Sequence, residues 1–280
     1  MKARVLFGVV GFVLVLLALY VFPSIVLELA VAALCVLATY EVLGPTKLVH
    51  NRLELLLCLL VALGLAIGHF DILPLDSQDV VQGLIFVLLI GSFAIELKFH
   101  NRMNVSQVAW GFFGALIVPY LMLSLLRIYQ MDFKPIGQTD FRAGQFIVLL
   151  PLLAAWGADT CALFAGMFFG KHKLAPVVSP KKTVEGAVGG VIGGAVLVLL
   201  VVLLMNVTLG LKMPLWAAVV LGAVGAMLGE IGDLSFSVIK RQTGIKDYGH
   251  IFPGHGGVLD RFDSVLFVAP FAEIMFRIIW

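Results

Sequence analysis

The sequence is poor in charged residues. Lysine, arginine, aspartate and glutamate make up 13% of its 280 residues, whereas 61% are hydrophobic. An ordinary soluble domain is about a quarter charged, and the mean hydropathy here is +1.08. These values exclude an ordinary soluble protein and indicate one embedded in a lipid bilayer. The net charge of +2 is also too small to predict a nucleic-acid partner.

Cysteine is scarce, and several common catalytic motifs are missing. Cys35, Cys58 and Cys161 lie in apolar stretches without CxxC or Cys/His spacing, which favours packed thiols over a disulfide framework or a zinc site. The segment GMFFGKHK at 166–173 does not have the spacing of a P-loop. Neither G-x-S-x-G nor H-E-x-x-H occurs. Hydrolase and zinc-protease functions therefore have no support.

Long apolar runs, by contrast, are abundant. A membrane-spanning helix needs about 20 apolar residues, and the chain offers about nine candidates, at roughly 5–22, 25–43, 53–70, 80–97, 108–127, 144–169, 187–209, 214–232 and 264–280. The first run follows Lys2 and Arg4, but no small-residue cleavage site comes after it, so we interpret it as a retained helix. The predicted fold is an all-α, polytopic integral membrane protein.

The distribution of basic residues predicts the orientation. With the N-terminus in the cytoplasm, 14 of the 19 lysines and arginines fall on cytoplasmic segments, as the positive-inside rule requires. Nine crossings then place the C-terminus outside. The two long polar loops, at 170–186 and 233–263, share the cytoplasmic face, where they could form one active site.

The two halves of the chain differ in character. Residues 1–143, with about five predicted helices, have few polar residues within the spans, except Glu28 and Glu41, and resemble a transmembrane scaffold. Residues 144–280, with about four helices, contain both polar loops and are predicted to be catalytic. Glycines crowd these later helices at small-xxx-small spacing, which lets helix backbones approach closely in lipid.

Carboxylates in the second half suggest a metal site. Asp159 lies deep in its predicted span, where a charge costs at least about 2.5 kcal/mol, so it should face a polar cavity. Asp233 ends the eighth span, and Asp260 and Asp263 open the ninth. Carboxylates without neighbouring thiolates suit Mg²⁺, which binds one or two of them together with substrate phosphates. For Asp263, helix capping is the alternative.

Basic residues and glycines accompany these carboxylates. Residues suited to bind phosphate lie in both loops, either as cations or as hydroxyls before a helix: Lys240, Arg241, Lys246 and Arg261, and Ser179, Lys181, Lys182 and Thr183. Attraction to anionic lipid headgroups is the alternative for such loops. His255, Gly256 and Gly257 add a hydrogen-bond donor and backbone that a ligand can approach closely.

The segment Ser237 to Asp263 is similar to the signature of phosphatidate cytidylyltransferases, also called CDP-diacylglycerol synthases. It reads S-x-I-K-R-x4-K-D-x-G-x2-F-P-x-H-G-G-V-x-D-R-F-D. Upstream, W-G-A-D-T at 156–160, G-K-H-K-L-A-P at 170–176 and S-P-K-K-T-V-E-G at 179–186 resemble other blocks of that family, in the same order. At Cys161-Ala162-Leu163 the chain departs from it, since relatives commonly have a tyrosine in the third position.

The resemblance implies an enzyme of phospholipid biosynthesis in the cell inner (cytoplasmic) membrane. It implies that CTP and phosphatidate give CDP-diacylglycerol and pyrophosphate with Mg²⁺, the lipid phosphate attacking the α-phosphorus of CTP. The residues it implies fall into three groups. The metal ligands would be Asp233 and Asp260, with Asp263 and Asp159. The other catalytic residues would be Lys240, Arg241, Lys246, Asp247 and Arg261. Substrate would be held by Ser179, Lys181, Lys182, Thr183, His255, Gly256 and Gly257.

Two other functions compete with this interpretation. One is a cytidylyltransferase that acts on another lipid phosphate, and the other is a membrane transporter with Asp159 as its coupling site. A CDP-alcohol phosphotransferase is disfavoured because its signature, D-G-x2-A-R-x8-G-x3-D-x3-D, does not occur. The sequence leaves open a homodimer, a second, monovalent cation, and which loop binds which substrate.

Overall fold

The computed structural model describes residues 13, 15–70, 77–99, 105–131, 143–251 and 256–280. These residues are mostly helical, which confirms the all-α prediction. The helices are α1 (Ser24–Leu43), α2 (Arg52–Ile67), α3 (Ser77–Phe99), α4 (Val105–Gln130), α5 (Gly144–Phe169), α6 (Val184–Leu209), α7 (Leu215–Gln242), α8 (Leu259–Phe262) and α9 (Val265–Ile279). Two short strands lie between α5 and α6: β1 (Lys173–Ala175) and β2 (Ser179–Thr183).

Six of these helices, α1 and α3 to α7, are long and apolar enough to cross a membrane. The chain is therefore a multi-pass membrane protein. Two further predicted spans are helical but short, since α2 has 16 residues and α9 has 15. Half of the first predicted span, 5–22, lies outside the described residues. The total of nine crossings stays a prediction.

The chain divides into two compact units. The first unit consists of residues 1–126 and 242–261, and the second of residues 127–241 and 262–280. The segment Ser237 to Asp263 therefore contributes to both. Its central part belongs to the same unit as the N-terminal helices, and its two ends belong to the second unit.

The first unit has an apolar core around α1. Thr39 on α1 donates a hydrogen bond of 2.8 Å to the backbone oxygen of Gly114 on α4. Gly114 belongs to a π-helical turn of α4, Phe113–Ile117, so the contact provides a donor for a backbone oxygen of that turn. Cys35 and Cys58 are buried here as free thiols, which confirms the prediction of packed thiols at these two positions.

Close glycine contacts hold the second unit together. A Cβ atom on Gly189 of α6 would overlap the side chain of Ala165 on α5. Similarly, a Cβ atom on Gly222 of α7 would overlap the backbone oxygen of Gly194 on α6. The small residues therefore let the three helices approach closely, as their spacing predicts.

The loop between α5 and α6 is an antiparallel hairpin that is fixed to the start of α6. Lys173 lies opposite Thr183, and Ala175 lies opposite Ser179. The Thr183 hydroxyl accepts a hydrogen bond of 3.1 Å from the amide of Gly186, which makes Thr183 the N-cap of α6. The carboxylate of Glu185 accepts a hydrogen bond of 3.0 Å from the amide of Lys171. Both ends of the hairpin are thereby tied to one helix.

Candidate active site

In the second unit, Lys182 joins the hairpin to α7. Its ammonium nitrogen lies 2.6 Å from a carboxylate oxygen of Asp233 and 2.9 Å from one of Glu230. Glu230 and Asp233 are three residues apart on a helix, so their side chains share a face. The structure thus brings together two residues that the sequence places in different loops, Lys182 and Asp233. Glu230 is a third member that the predicted site did not include.

Lys182 is a stable cation in this position. Burial by itself lowers the pKa of the Lys182 ammonium, but the charges of Asp233 and then Glu230 oppose that effect, and the pKa lies above its ordinary value. The side chain of Lys182 is 21% exposed, and that of Asp233 is 27% exposed. The ion pair is therefore partly shielded from water and remains charged at neutral pH.

A second lysine lies on the same side of α7, beside Asp263. The Lys240 ammonium is 4.0 Å from a carboxylate oxygen of Asp263, and both side chains are buried. Lys240 also acts electrostatically on Asp233, whose carboxylate accepts a hydrogen bond of 3.2 Å from Ser237. Two aspartates and a lysine of the predicted site are therefore neighbours within one unit.

Asp263 lies in a crowded acidic environment. Burial raises the pKa of Asp263 to about 8, the charge of Asp233 adds to this effect, and Lys240 opposes it. Asp159, exposed on α5, also acts on Asp263. Asp159 follows a π-helical turn, Leu153–Gly157, and such turns are frequent at functional sites. The four carboxylates of this cluster, Asp159, Glu230, Asp233 and Asp263, outnumber its two lysines.

In the first unit, Asp260 has a different environment. It is buried, and one of its oxygens accepts hydrogen bonds from the backbone amides of Tyr248, at 2.8 Å, and of Gly257, at 2.9 Å. Gly256 has a φ of +82°, and a Cβ atom there would contact the Asp260 carboxylate. Glycine is therefore required at position 256 by the backbone conformation and by the close carboxylate.

Glu41 of α1 also holds this part of the chain. One of its carboxylate oxygens accepts a hydrogen bond of 3.0 Å from the amide of Val258, and the other accepts one of 2.7 Å from Leu259. The sequence predicted a scaffold role for this half of the chain and did not include Glu41 among the site residues. The signal that could have identified Glu41 was its position as an acidic residue in an apolar span, where a charge is unfavourable unless it has a partner.

The remaining predicted residues lie mainly on the surface. Lys181 and Arg241 are exposed in the second unit, where Arg241 donates a hydrogen bond of 3.3 Å to the backbone oxygen of Val178. Lys246, Asp247 and Arg261 are exposed in the first unit. Ser179 is half-buried, Thr183 is buried as a helix cap, and Gly257 is buried. His255 lies outside the described residues.

The donor atoms of the carboxylate cluster suit a hard cation. Within the described ranges, no group of three or more histidine, cysteine, aspartate or glutamate side chains is arranged as a ready-made metal site. Mg²⁺ does not need one, because it is typically bound by one or two carboxylates together with substrate phosphates. Buried oxygen donors close to lysines therefore fit Mg²⁺ better than a metal that requires a complete protein cage.

Comparison with known proteins identifies the family. The model of the Cytidylyltransferase family matches residues 2–279. The chain belongs to the cytidylyltransferase family. Among its relatives, a phosphatidate cytidylyltransferase of Staphylococcus saprophyticus is 33% identical over 279 residues, which is 98% of each chain. One of Staphylococcus epidermidis is 34% identical over the same length and shares, and one of Haemophilus influenzae is 30% identical over 97% of this chain and 96% of its own.

The match confirms the resemblance given by the motifs and extends it to the N-terminal half. The motifs lie between residues 156 and 263, whereas the family match begins at residue 2. The chain is therefore a cytidylyltransferase-family enzyme along nearly its whole length. The match therefore covers both Glu41 and the signature segment, Ser237 to Asp263, two of whose backbone amides bond to Glu41.

Proposed function

We propose that this protein transfers the cytidylyl group of CTP to phosphatidate, producing CDP-diacylglycerol and pyrophosphate. One observation carries the proposal. The chain matches the cytidylyltransferase family over residues 2–279, and its relatives named phosphatidate cytidylyltransferase cover 98% of it. In the reaction a phosphate oxygen of phosphatidate forms a bond to the α-phosphorus of CTP. The bond from that phosphorus to the bridging oxygen of the β-phosphate breaks, and its electron pair leaves with pyrophosphate.

The residues of the carboxylate cluster suit this chemistry because it demands charge balance more than proton transfer. A phosphatidate phosphate is already anionic at neutral pH, so no strong general base is needed. The difficulty is to bring two polyanions together and to stabilise the leaving pyrophosphate. Lys240, which is buried, and Lys182, which is partly shielded from water, would supply positive charge. The exposed cations Lys181, Arg241, Lys246 and Arg261 would bind the triphosphate or the lipid headgroup, with Ser179 as a neutral donor.

Mg²⁺ is the proposed cofactor. The sequence resemblance assigns Asp233, Asp260 and Asp263 to it, and within the second unit Asp159 would add negative charge near Asp263. When bound, Mg²⁺ neutralises phosphate charge and orients the oxygens of the nucleotide. The protein residues do the remaining work. Lys182 and Lys240 keep the acidic cluster assembled, and the Ser237 hydroxyl holds the Asp233 carboxylate in one orientation.

The proposed membrane arrangement has nine crossings with the N-terminus in the cytoplasm. Loops 170–186 and 233–263 would then face the cytoplasm, where CTP is available. The protein would be a multi-pass component of the cell inner membrane, and phosphatidate would reach it from the inner leaflet with its acyl chains still in lipid. The excess of lysines and arginines on the predicted cytoplasmic segments supports this orientation.

The first test is turnover by purified protein in detergent micelles that contain phosphatidate. With CTP and Mg²⁺ we expect equal amounts of CDP-diacylglycerol and pyrophosphate, measured by lipid chromatography and a pyrophosphate assay. A chelator should abolish both products, and added Mg²⁺ should restore them. Replacement of phosphatidate by other lipid phosphates tests the nearest alternative. If another lipid phosphate supported faster turnover than phosphatidate, the proposed substrate would be wrong.

A further inference from the structure

Glu41 occupies a position that is costly unless it has a function. It lies in the last turn of α1 and is 1% exposed. A charged side chain buried among apolar helices is unfavourable unless it is paired or hydrogen-bonded. Here both oxygens are used, one by each of two consecutive backbone amides, those of Val258 and Leu259. The carboxylate therefore binds the signature segment as a two-pronged acceptor.

The amides of Val258 and Leu259 depend on the Glu41 carboxylate as their hydrogen-bond acceptor. Val258 is 1% exposed and Leu259 is 0% exposed, so water does not replace a lost acceptor. A buried donor without a partner costs about 1–3 kcal/mol. Glu41 lies 217 residues before Val258 and 218 residues before Leu259 in the sequence. The contact is therefore a long-range link that fixes where the signature segment lies within the first unit.

Two glycines of the signature segment lie close to the Glu41 carboxylate. A Cβ atom on Gly249 or on Gly257 would contact the Glu41 carboxylate. Neither residue has a positive φ, whereas Gly244 and Gly256 do. The absence of a side chain at Gly249 and Gly257 is thus explained by space for Glu41 and not by backbone conformation.

Gly257 connects Glu41 to Asp260. Its backbone packs against the Glu41 carboxylate, and its amide donates the 2.9 Å hydrogen bond to Asp260. The two carboxylates also interact electrostatically. A shift of Glu41 would therefore move Gly257, and with it one of the two amides that orient Asp260.

We propose that Glu41 is a positioning residue for cytidylyl transfer, which holds the segment 248–260 so that the Asp260 carboxylate is presented in its active orientation. The inference rests on the proposed function, because Asp260 is one of the residues assigned to Mg²⁺. Glu41 itself binds backbone amides and has no role in bond making. The N-terminal half of the chain thereby supplies part of the catalytic geometry.

The decisive variant is Glu41→Gln, which keeps the shape of the side chain but replaces one acceptor oxygen with a donor. Loss of a residue that orients a metal ligand typically costs about 10- to 100-fold in metal affinity or activity. We expect kcat per folded protein to fall by about this factor and the Mg²⁺ concentration for half-maximal rate to rise. The KM for phosphatidate should change less than the Mg²⁺ dependence, because the buried Glu41 carboxylate bonds to the backbone amides next to Asp260.

Glu54→Gln is the matched control. Glu54 is also fully buried in the first unit, but it accepts its 2.6 Å hydrogen bond from Ser92 and not from the signature segment. We expect Glu54→Gln to keep the wild-type Mg²⁺ dependence. If the two variants changed the Mg²⁺ dependence equally, Glu41 would act only through general stability, and the inference would be wrong.

Amide hydrogen exchange provides a readout that does not depend on turnover. In Glu41→Gln the amides of Tyr248, Gly257, Val258 and Leu259 should exchange faster than in the wild type, and in Glu54→Gln they should not.

If Glu41→Gln does not fold, Gly249→Ala replaces it, since the added methyl group would displace the carboxylate without removing it. Wild-type exchange and wild-type Mg²⁺ dependence in Glu41→Gln, or in Gly249→Ala where that variant replaces it, would overturn the inference. Absence of CTP-dependent turnover by the wild type would instead overturn the proposed function, together with the catalytic part of the inference.

Discussion

The partners of Asp233 in the second unit include charged side chains, whereas those of Asp260 in the first unit include two backbone amides. Asp233 faces the Lys182 ammonium at 2.6 Å and accepts a hydrogen bond from Ser237. Asp260 uses a single oxygen to accept the amides of Tyr248 and Gly257. The sequence assigns both residues to the same metal, but their supports differ in kind.

The difference shows how each carboxylate is prepared for its role. The charge of Asp233 is balanced by a lysine, whose flexible stem lets it move when a metal ion or a phosphate group arrives. Asp260 accepts hydrogen bonds from main-chain donors, which fix the direction of its carboxylate. The first arrangement provides adjustable electrostatics. The second provides a fixed geometry that depends on the shape of a loop.

The largest expected effect separates the two aspartates. Asp233→Asn and Asp260→Asn should each reduce turnover by at least about 10³-fold, because several kcal/mol of charge stabilisation are lost. Only Asp260→Asn should also speed hydrogen exchange at Tyr248 and Gly257, since an amide group is a weaker acceptor for their N–H groups. Turnover assays and exchange mass spectrometry on both variants test this comparison.

Two results would break the comparison. Near-normal turnover in either variant would remove that aspartate from the proposed metal site. Faster exchange at Tyr248 and Gly257 in Asp233→Asn would show that the two aspartates are supported in the same way.

A smaller effect is expected from Lys182→Met. Removal of the ammonium leaves Glu230 and Asp233 close together without a counter-charge, which should lower the free energy of unfolding by about 2–3 kcal/mol, somewhat less than for a fully buried pair. Adding Glu230→Gln to Lys182→Met should recover part of this loss, because one uncompensated charge is removed. Denaturant unfolding of both variants in detergent measures the difference. Equal stability of the single and double variants would show that the charges of this cluster do not control its stability.

The smallest effect concerns a neutral hydrogen bond in the second unit. Thr183→Val keeps the shape of the side chain but removes the N-cap of α6, which should cost about 1 kcal/mol of unfolding free energy. Thr183→Ser retains the cap and should be nearly neutral. Thr208→Val on the same helix is a suitable control, because the Thr208 hydroxyl is exposed and bonds only to Leu204 of its own helix. If Thr183→Val lowered turnover strongly without changing stability, the hydroxyl would serve the substrate and not the cap.

Much of the fold follows from the sequence because a bilayer restricts the chain to a few solutions. Apolar runs of about 20 residues become helices, since unpaired backbone groups are not tolerated in lipid. The predicted spans at 25–43, 144–169 and 187–209 agree with α1, α5 and α6 to within a few residues. The hairpin of β1 and β2 was not predicted. Its strands have three and five residues, which is too short for a clear alternating pattern.

The candidate site was only partly predictable from the sequence, because the role of a charged residue depends on its tertiary partners. Lys182 and Asp233 stand out because charged residues are rare in this chain, and the structure places them in contact. Glu230 and Glu41 stand out equally as charges, but their roles depend on what lies opposite them. The sequence does not show that Glu230 faces Lys182, or that Glu41 accepts two amides more than 200 residues away.

The sequence by itself determined that this is a multi-pass, all-α membrane protein of the cytidylyltransferase family, since composition, apolar length and local motifs are properties of short segments. Only the tertiary structure decided how the charges are matched. Lysine, carboxylate and amide partners come from distant segments, and their pairing depends on the packing of helices. The assignment of Glu41 to the signature segment is the clearest case, because no local pattern around residue 41 distinguishes a residue that supports the site from one that only stabilises a helix.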